Sequence, residues 1–276
     1  MDRVKAAGKL ALAYEIDARP FSYQDEKGKP AGYSIELCER VADAVKAELQ
    51  LPSLNVEWVP IKLEDRLSTM QQNKADLLCG SVSETLTRRK DFGFSLPIFP
   101  SGIGGVLRVD APAALINVLA NGRPGPHPIW RGDPARITLQ EKTFSVIAGA
   151  TSEMWLANRL ETLQLTAKAI PVATYADGIQ RVLDGSSDVF FGDLPILDDV
   201  AKRSPSASDL LVLDRHFTYE PLALTMARGD EDFRLLVDRA LSELYRSQDF
   251  RTLYAKWFGA LDEPALTFFR QTALPE

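Results

Sequence analysis

Alternation between helix and strand is clearest in residues 34–61, which read SIELCERVADAVKAELQLPSLNVEWVPI. Apolar residues at positions 35, 38, 41, 42, 45 and 49 recur at the spacing of one helical face, and Ser34 stands where a capping side chain is favoured. NVEWVPI (55–61) has the length and the β-branched content of a strand. The stretch therefore predicts an amphipathic helix, with Ser34 as its N-cap, followed by a strand.

The same alternation continues on both sides of this stretch. KLALAY (9–14) predicts a strand, and FSYQDEKGKPAGYS (21–34) is typical of a hairpin with a polar turn. LEDRLSTMQQNK (63–74) predicts a helix and ADLLCGS (75–81) a buried strand. The order β–α–β–α–β favours a parallel sheet covered by helices.

A second block repeats the pattern after a stretch of different composition. Residues 110–135 contain five prolines, and we interpret them as a loop or insertion with at most one short helix, around ALINVLAN (114–121). Strand and helix patterns then alternate over residues 143–193, and a strand at 219–227 is followed by helices at 230–247 and 248–259. The sequence therefore predicts two α/β lobes and a helical C-terminal segment.

The composition excludes several classes of protein. The 276 residues are 45% hydrophobic and 25% charged, which is ordinary for a globular protein with a core of its own. Lys and Arg number 32 against 38 Asp and Glu, a net charge of −6, and no basic run occurs. We therefore expect no nucleic-acid partner. No stretch approaches the roughly 20 apolar residues that span a bilayer.

Metal and cofactor motifs are also missing from the sequence. The two cysteines and two histidines have no metal-ligand spacing, and SGIGGVLR (101–108) lacks the spacing of a dinucleotide-binding loop. We therefore predict no metal and no cofactor, and interpret His127 and His216 as surface or packing residues. Cys38 and Cys79 lie on a helix and on the strand that it covers; a disulfide and two packed free thiols are both open, and we favour the thiols.

Polar side chains follow the predicted strands at their carboxyl ends, where ligands collect in open α/β sheets. Ser81, Ser83 and Arg88 follow one strand and favour a carboxylate site, because a guanidinium can bind both carboxylate oxygens. Thr151 begins a helix in the second block, and Asp193 ends a very apolar strand, where its carboxylate could bind an ammonium group. One anion site and one cation site suit an α-amino acid. The alternative is that the hydroxyls and Asp193 cap helices and that Arg88 lies on a solvated helix face.

Five segments, in this order, resemble the family 3 periplasmic solute-binding proteins, the amino-acid receptors of ABC importers. They are RPFSYQDEKGKPAGYSIELCERVADAV (19–45), DLLCGSVSETLTRRKDFGFSLPIF (76–99), GATSE (149–153), DGIQRVLDGSSDVFFGD (177–193) and DFRTLYAKWFG (249–259). The resemblance implies an α/β, periplasmic binding protein-like fold with two α/β lobes joined by two hinge crossover strands. Lobe 1 is expected to comprise residues 1–104 plus 220–276. Lobe 2 is expected at 105–219, with the Pro/Gly-rich insertion at about 110–135.

The resemblance also implies roles for the polar residues. In relatives, the positions matching Arg88, Ser83 and Thr151 bind the ligand α-carboxylate. The position matching Asp193 and the backbone near Ser81 bind the α-ammonium.

The side-chain end of the ligand is harder to assign. Glutamate/aspartate receptors carry arginine where this chain has Glu15, whereas basic amino-acid receptors carry an acidic residue there. Arg66 stands at a position that acidic-ligand receptors use for the distal carboxylate, and Tyr175 replaces a histidine of those relatives. We favour a neutral polar or cationic amino acid, and the alternative is that Glu15 and Arg66 pair with each other.

The resemblance therefore implies a binding protein and not an enzyme. We expect an amino-acid ligand held in an interlobe cleft, delivery to the permease subunits of an ABC importer, and a monomer. We also expect a periplasmic location with the signal peptide removed, because MDRVKAAGKLALAYEID (1–17) shows none. The alternatives are a cyclohexadienyl dehydratase-like enzyme on the same scaffold and a ligand-binding sensor domain.

Overall fold

The computed structural model describes residues 2–121 and 133–275 and divides the chain into two compact units. Unit 1 comprises Met1–Pro100 and Glu220–Glu276, and unit 2 comprises Ser101–Tyr219. Each unit contains its own five-stranded sheet.

The main sheet of unit 1 consists of β1 (Lys9–Glu15), β5 (Asn55–Ile61), β6 (Leu77–Ser83), β7 (Phe92–Ser101) and β13 (Glu220–Ala227). Their order is β5-β1-β6-β13-β7. β1 is parallel to β5 and β6, whereas β13 is antiparallel to β6. β6 is thus the central strand, and all seven of its residues are buried. Because β1 and β6 are parallel, Glu15 and Ser83 end their strands at the same edge of the sheet.

A small sheet and six helices complete unit 1. The small sheet consists of β2 (Asp17–Ala18), β3 (Ser22–Gln24) and β4 (Pro30–Ala31). The helices are α1 (Asp2–Ala7), α2 (Tyr33–Glu48), α3 (Arg66–Gln71), α9 (Glu231–Arg246), α10 (Gln248–Phe258) and α11 (Glu263–Thr272). The predicted helix at 63–74 is shorter, because residues 63–65 form a 3-10 turn. α1 and α11 were not predicted, although Asp262 does cap α11 by accepting from Ala265 N.

The start of α2 corrects the prediction that Ser34 is its cap. The N-cap is Gly32, at φ 132°, and no side chain caps this helix. A Cβ on Gly32 would lie 2.2 Å from the Phe21 carbonyl oxygen. That carbonyl accepts the Ser34 N–H at 2.8 Å, and Tyr33 N–H donates to the Pro20 carbonyl at 2.9 Å. The first helical N–H groups are thus satisfied by the backbone of the preceding hairpin, which leaves the Ser34 side chain to bind elsewhere.

Cys38 and Cys79 form a disulfide, so the favoured prediction of two free thiols was wrong. Both residues are fully buried, one on α2 and the other on the central strand β6. Their Cα atoms lie 6.1 Å apart, within the range that a disulfide spans. The sequence placed both cysteines at the contact between this helix and this strand, but the distance between them depends on how the helix packs.

Aromatic rings join the C-terminal helices of unit 1 to the rest of the unit. Phe258 of α10 lies 4.4 Å from Phe99 of β7 and 5.2 Å from Tyr33 of α2, measured between ring centroids. Phe21 lies 5.1 Å from Phe99. Such pairs contribute about 0.5–1.5 kcal/mol each beyond the burial of their area. The helical tail predicted from the sequence is therefore an integral part of the core of unit 1.

The sheet of unit 2 consists of β8 (Ile103–Arg108), β9 (Thr143–Ile147), β10 (Lys168–Val172), β11 (Val189–Asp193) and β12 (Leu210–Val212), in the order β10-β9-β11-β8-β12. β9, β10 and β11 are parallel to one another, and β8 is antiparallel to β11. β11 is the central strand, and all of its residues are buried. The carboxyl ends of three parallel strands therefore meet at one edge of this sheet.

The helices of unit 2 are α4 (Ala113–Asn121), α5 (Pro134–Leu139), α6 (Thr151–Thr162), α7 (Tyr175–Leu183) and α8 (Leu194–Arg203). α4 agrees with the predicted short helix, but α5 starts inside the predicted insertion, so the limit of one helix there was wrong. Asp133 caps α5 by accepting from Ala135 N. Residues 122–132 of the insertion, with His127, lie outside the described residues.

The α/β fold class predicted from the alternating pattern is confirmed. Among residues 2–121 and 133–275, no helix combines the length and the apolar character needed to cross a membrane.

Candidate functional site

Glu15, Arg66 and Ser81 form a buried cluster in unit 1, called here the Glu15 cluster. Glu15 is the last residue of β1 and is fully buried. Its Oε2 accepts hydrogen bonds from Ser81 N at 2.9 Å and from Ser81 Oγ at 2.8 Å. Arg66 is 5% exposed, and its Nη1 lies 3.6 Å from Glu15 Oε1. The pairing of Glu15 with Arg66, one of the alternatives raised by the sequence, is thus present.

The backbone beside the Glu15 cluster requires a glycine. A Cβ at Gly80 would lie 2.9 Å from the Glu15 carboxylate. The Gly80 carbonyl accepts a hydrogen bond from Ser34 Oγ at 2.9 Å. The residue before it, Cys79, is joined to α2 by the disulfide. A buried carboxylate costs several kcal/mol unless it is paired and hydrogen-bonded. Gly80 is a supporting residue that the sequence analysis missed, and Ser34, predicted there as a helix cap, supports Gly80 instead; the sequence Cys-Gly-Ser at a strand end was the available signal.

One oxygen of the Glu15 cluster has spare hydrogen-bonding capacity. Glu15 Oε1 is buried and accepts no hydrogen bond from any described residue. Its only described partner is the more distant Arg66 Nη1. An ionised carboxylate can only accept hydrogen bonds. A group that donates a hydrogen bond would therefore complete the environment of this atom.

Ser83 and Arg88 form a second contact in unit 1. Ser83 ends the buried strand β6, and its carbonyl oxygen accepts from Arg88 Nη1 at 2.8 Å. Arg88 is half-buried, whereas Arg89 is exposed and its Nε donates to Glu84 Oε1 at 2.6 Å. Arg88 is thus less exposed than Arg89, the neighbour on the same short 3-10 helix. The bond from one Nη to the backbone orients the guanidinium, a planar group of the kind that binds carboxylates.

Tyr175 and Asp193 form the corresponding contact in unit 2. Tyr175 begins α7, Asp193 ends the central strand β11, and both are buried. Tyr175 Oη donates to Asp193 Oδ2 at 3.1 Å. A buried carboxylate at this position favours a cationic partner over an anionic one.

The alternative that these residues only cap helices is not supported. Asp193 occupies the N-cap position of α8, but its side chain accepts no hydrogen bond from that helix. The N-cap of α6 is Ala150, so neither Thr151 nor Ser152 caps it. In unit 1, Thr85 Oγ1, and not Ser83, accepts the Arg88 N–H at 3.2 Å. The polar residues at these strand ends are therefore not explained by helix capping.

Within each unit the structure brings some of the predicted residues together. Unit 1 contains the Glu15 cluster and the Ser83–Arg88 contact, both built on β6. Unit 2 contains the Tyr175–Asp193 contact, and Thr151 begins the helix that follows the neighbouring strand β9. Among the described residues, no group of three His, Cys, Asp or Glu side chains could hold a metal ion.

Two units with sheets of mixed direction and polar residues at the carboxyl ends of their parallel strands are typical of binding proteins for small solutes. The model of the bacterial extracellular solute-binding proteins, family 3, matches residues 10–260. The chain belongs to this family.

Named relatives support an amino-acid-binding protein. The L-glutamate/L-aspartate-binding protein of Pseudomonas aeruginosa is 27% identical over 94% of this chain and 79% of its own length. The crystal structure of an ancestral amino acid-binding protein, a precursor of cyclohexadienyl dehydratase, has a TM-score of 0.74 and 26% identity, covering 93% of this chain and 98% of the other. A binding component assigned to an ABC transporter of Wolinella succinogenes, solved with lysine, has a TM-score of 0.73 and 23% identity, covering 94% and 99%.

The relatives confirm the class of protein and the fold, and the sequence-based view that the chain is not an enzyme agrees with them. Their named ligands, glutamate or aspartate in one and lysine in another, carry opposite side-chain charges. The ligand preference of this chain therefore depends on its own residues.

Proposed function

We propose that this protein captures a polar α-amino acid, neutral or cationic, in the periplasm and delivers it to the permease subunits of an ABC importer. The observation that carries the choice of ligand is the buried Glu15 Oε1, which accepts no hydrogen bond from a described residue. An amide or an ammonium group can donate to this oxygen. A distal carboxylate cannot, and it would be repelled by Glu15 in a site of low dielectric constant.

In this proposal the backbone of the ligand is bound by the residues predicted from the sequence. Arg88, Ser83 and Thr151 bind the α-carboxylate. Asp193 and the backbone near Ser81 bind the α-ammonium, and Tyr175 orients Asp193 through their hydrogen bond. The oriented guanidinium and the buried carboxylate support this assignment, because each has the charge that its ligand group requires.

The Glu15–Arg66 pair supports a ligand side chain without negative charge. The pair carries no net charge, so Arg66 is partly neutralised and is a weaker partner for a distal carboxylate than an unpaired arginine would be. The resemblance of Arg66 to a position in acidic-ligand receptors is therefore outweighed by its pairing with Glu15.

The ligand preference is tested by comparing each amide with its acid. Glutamine and asparagine should bind at least a hundredfold more tightly than glutamate and aspartate, measured by calorimetry on protein that has been unfolded and refolded to remove bound ligand. Glu15→Gln should reduce this ratio at least tenfold, because it removes the repulsion. Glu64→Gln is the matched control, since Glu64 is exposed and pairs with Lys62. Tighter binding of the acids would overturn the proposed ligand class, and conversion of prephenate to phenylpyruvate would overturn the binding function itself.

Asp193→Asn should weaken the binding of amino acids about thirtyfold while leaving their deaminated analogues nearly unchanged. The amide keeps the shape and can still accept from Tyr175, but it loses the charge that pairs with the ammonium, which is worth about 2 kcal/mol. Calorimetric titrations with an amino acid and with the carboxylate that lacks its amino group give the two ratios. Asp198→Asn, at a partly exposed aspartate paired with Lys202, is the control. Equal losses for both ligands would mean that Asp193 does not contact the ammonium.

A further inference from the structure

An apolar cavity of about 120 Å³ lies within unit 2 and has no part in the proposed function. Its described lining comes from α4, α5, α6 and the neighbouring strands. The apolar side chains include Leu119, Leu139, Phe144, Leu156, Phe191 and Phe217. For comparison, an engineered cavity of about 150 Å³ lined by similar residues binds benzene. The volume therefore suits an apolar group of about six carbon atoms.

Two arginines, Arg159 and Arg215, also line this cavity. Arg215 Nη1 donates to the Leu119 carbonyl at 2.6 Å, and its guanidinium lies 4.9 Å from the centroid of the Phe217 ring. These contacts hold the guanidinium at the apolar wall. None of the described lining residues is acidic, and no described carboxylate pairs with Arg159 or Arg215.

The two positive charges act on each other. The pKa of the Arg215 guanidinium is lowered by partial burial and, to a smaller extent, by the charge of Arg159. The nearby charge of Arg159 disfavours the charged form of Arg215 in the absence of an anion. A bound anion would remove this cost.

We propose that this cavity binds a small organic carboxylate with an apolar body of about six carbon atoms. The apolar body lies among the leucine and phenylalanine side chains, and the carboxylate pairs with Arg159 and Arg215. An α-amino acid is disfavoured, because none of the described lining residues carries a negative charge that could pair with its ammonium group. The cavity is therefore a second ligand site, separate from the residues that carry the proposed function and independent of it.

Saturation-transfer NMR with benzoate and hexanoate tests the proposal on the whole protein. Both should bind with a Kd on the order of 10⁻⁴ M, as expected of ligands with about nine heavy atoms. Benzyl alcohol and hexylamine, which have similar apolar bodies but no negative charge, should bind at least tenfold more weakly. An absence of signal for both carboxylates, or equal binding of the neutral and cationic analogues, would overturn the anion site.

Two variants test whether benzoate binds in this cavity. Arg159→Gln should weaken benzoate binding at least tenfold, and it should fold normally because no described hydrogen bond or ion pair of the Arg159 side chain is lost. Arg203→Gln, at an arginine on α8 outside the cavity lining, is the matched control. Leu160→Phe should fill the cavity and compete with the ligand, and a circular-dichroism spectrum checks its fold. Benzoate binding that neither variant changes would place the ligand elsewhere and overturn the proposal.

Discussion

Arg88→Ala should abolish the binding of amino acids, with a rise in Kd of more than a hundredfold. In the structure Arg88 is half-buried and is oriented by its hydrogen bond to the Ser83 carbonyl. Removing it would leave the α-carboxylate without a charged partner in a desolvated site, at a cost of about 3 kcal/mol or more. Calorimetry with the amino acid that binds most tightly in the panel measures the loss.

The neighbouring arginine provides the control for this prediction. Arg89→Ala removes the same side chain one residue further along, where it is exposed and paired with Glu84. Its effect on binding should be less than twofold, because surface ion pairs contribute little. Retained affinity in Arg88→Ala, or an equal loss in both variants, would show that Arg88 does not bind the carboxylate.

Replacing both cysteines, in Cys38→Ala/Cys79→Ala, should lower the stability of the protein by about 4 kcal/mol. The disulfide joins residues separated by 41 positions, and the loop-entropy relation gives about this value for a loop of that length. In a domain of this size a loss of 1 kcal/mol lowers the thermal midpoint by about 2–4 °C, so the midpoint should fall by roughly 8–16 °C. Circular dichroism during heating, with the wild type and the double variant side by side, measures the difference.

Reduction of the disulfide provides the control for the double cysteine replacement. Dithiothreitol under unfolding conditions should lower the midpoint of the wild type toward that of the double variant and leave the double variant unchanged. Equal midpoints for the oxidised wild type and the double variant would mean that the disulfide does not stabilise the native state. Since both cysteines are fully buried, the native protein should resist reduction until it unfolds.

The sequence predicted which polar residues lie at the ends of strands, but not which of them contact one another. Residues that follow parallel strands must meet at one edge of a sheet, and this placed Ser81, Ser83 and Asp193 at strand ends. Pairing across strands was less predictable. That Glu15 Oε2 accepts two hydrogen bonds from Ser81 depends on the relative register of β1 and β6, which nothing in the local sequence specifies.

Two of the corrected predictions have a common physical cause. Ser34 is not a helix cap, because the carbonyls of the hairpin before α2 satisfy its first N–H groups. Cys38 and Cys79 are bonded because the packing of α2 on β6 brings their Cα atoms to 6.1 Å. α5 differs, because it is started locally by Asp133, which caps it, and by Pro134 at its first position. For Ser34 and the two cysteines, the expectation from the local sequence was overruled by a contact between residues from different elements.

The α/β class, the family and the order of the strands and helices that build the two sheets follow from the sequence alone, because apolar periodicity and turn residues act locally. The short helices α1, α5 and α11 did not. The tertiary structure alone decides which polar groups share an environment. Burial of Glu15 beside Gly80, the orientation of Arg88 by a backbone carbonyl and the placement of two arginines at an apolar cavity all arise from packing. Hydrogen bonds and charge interactions act over a few ångströms in space, whatever the distance along the chain, and the local pattern does not encode that distance.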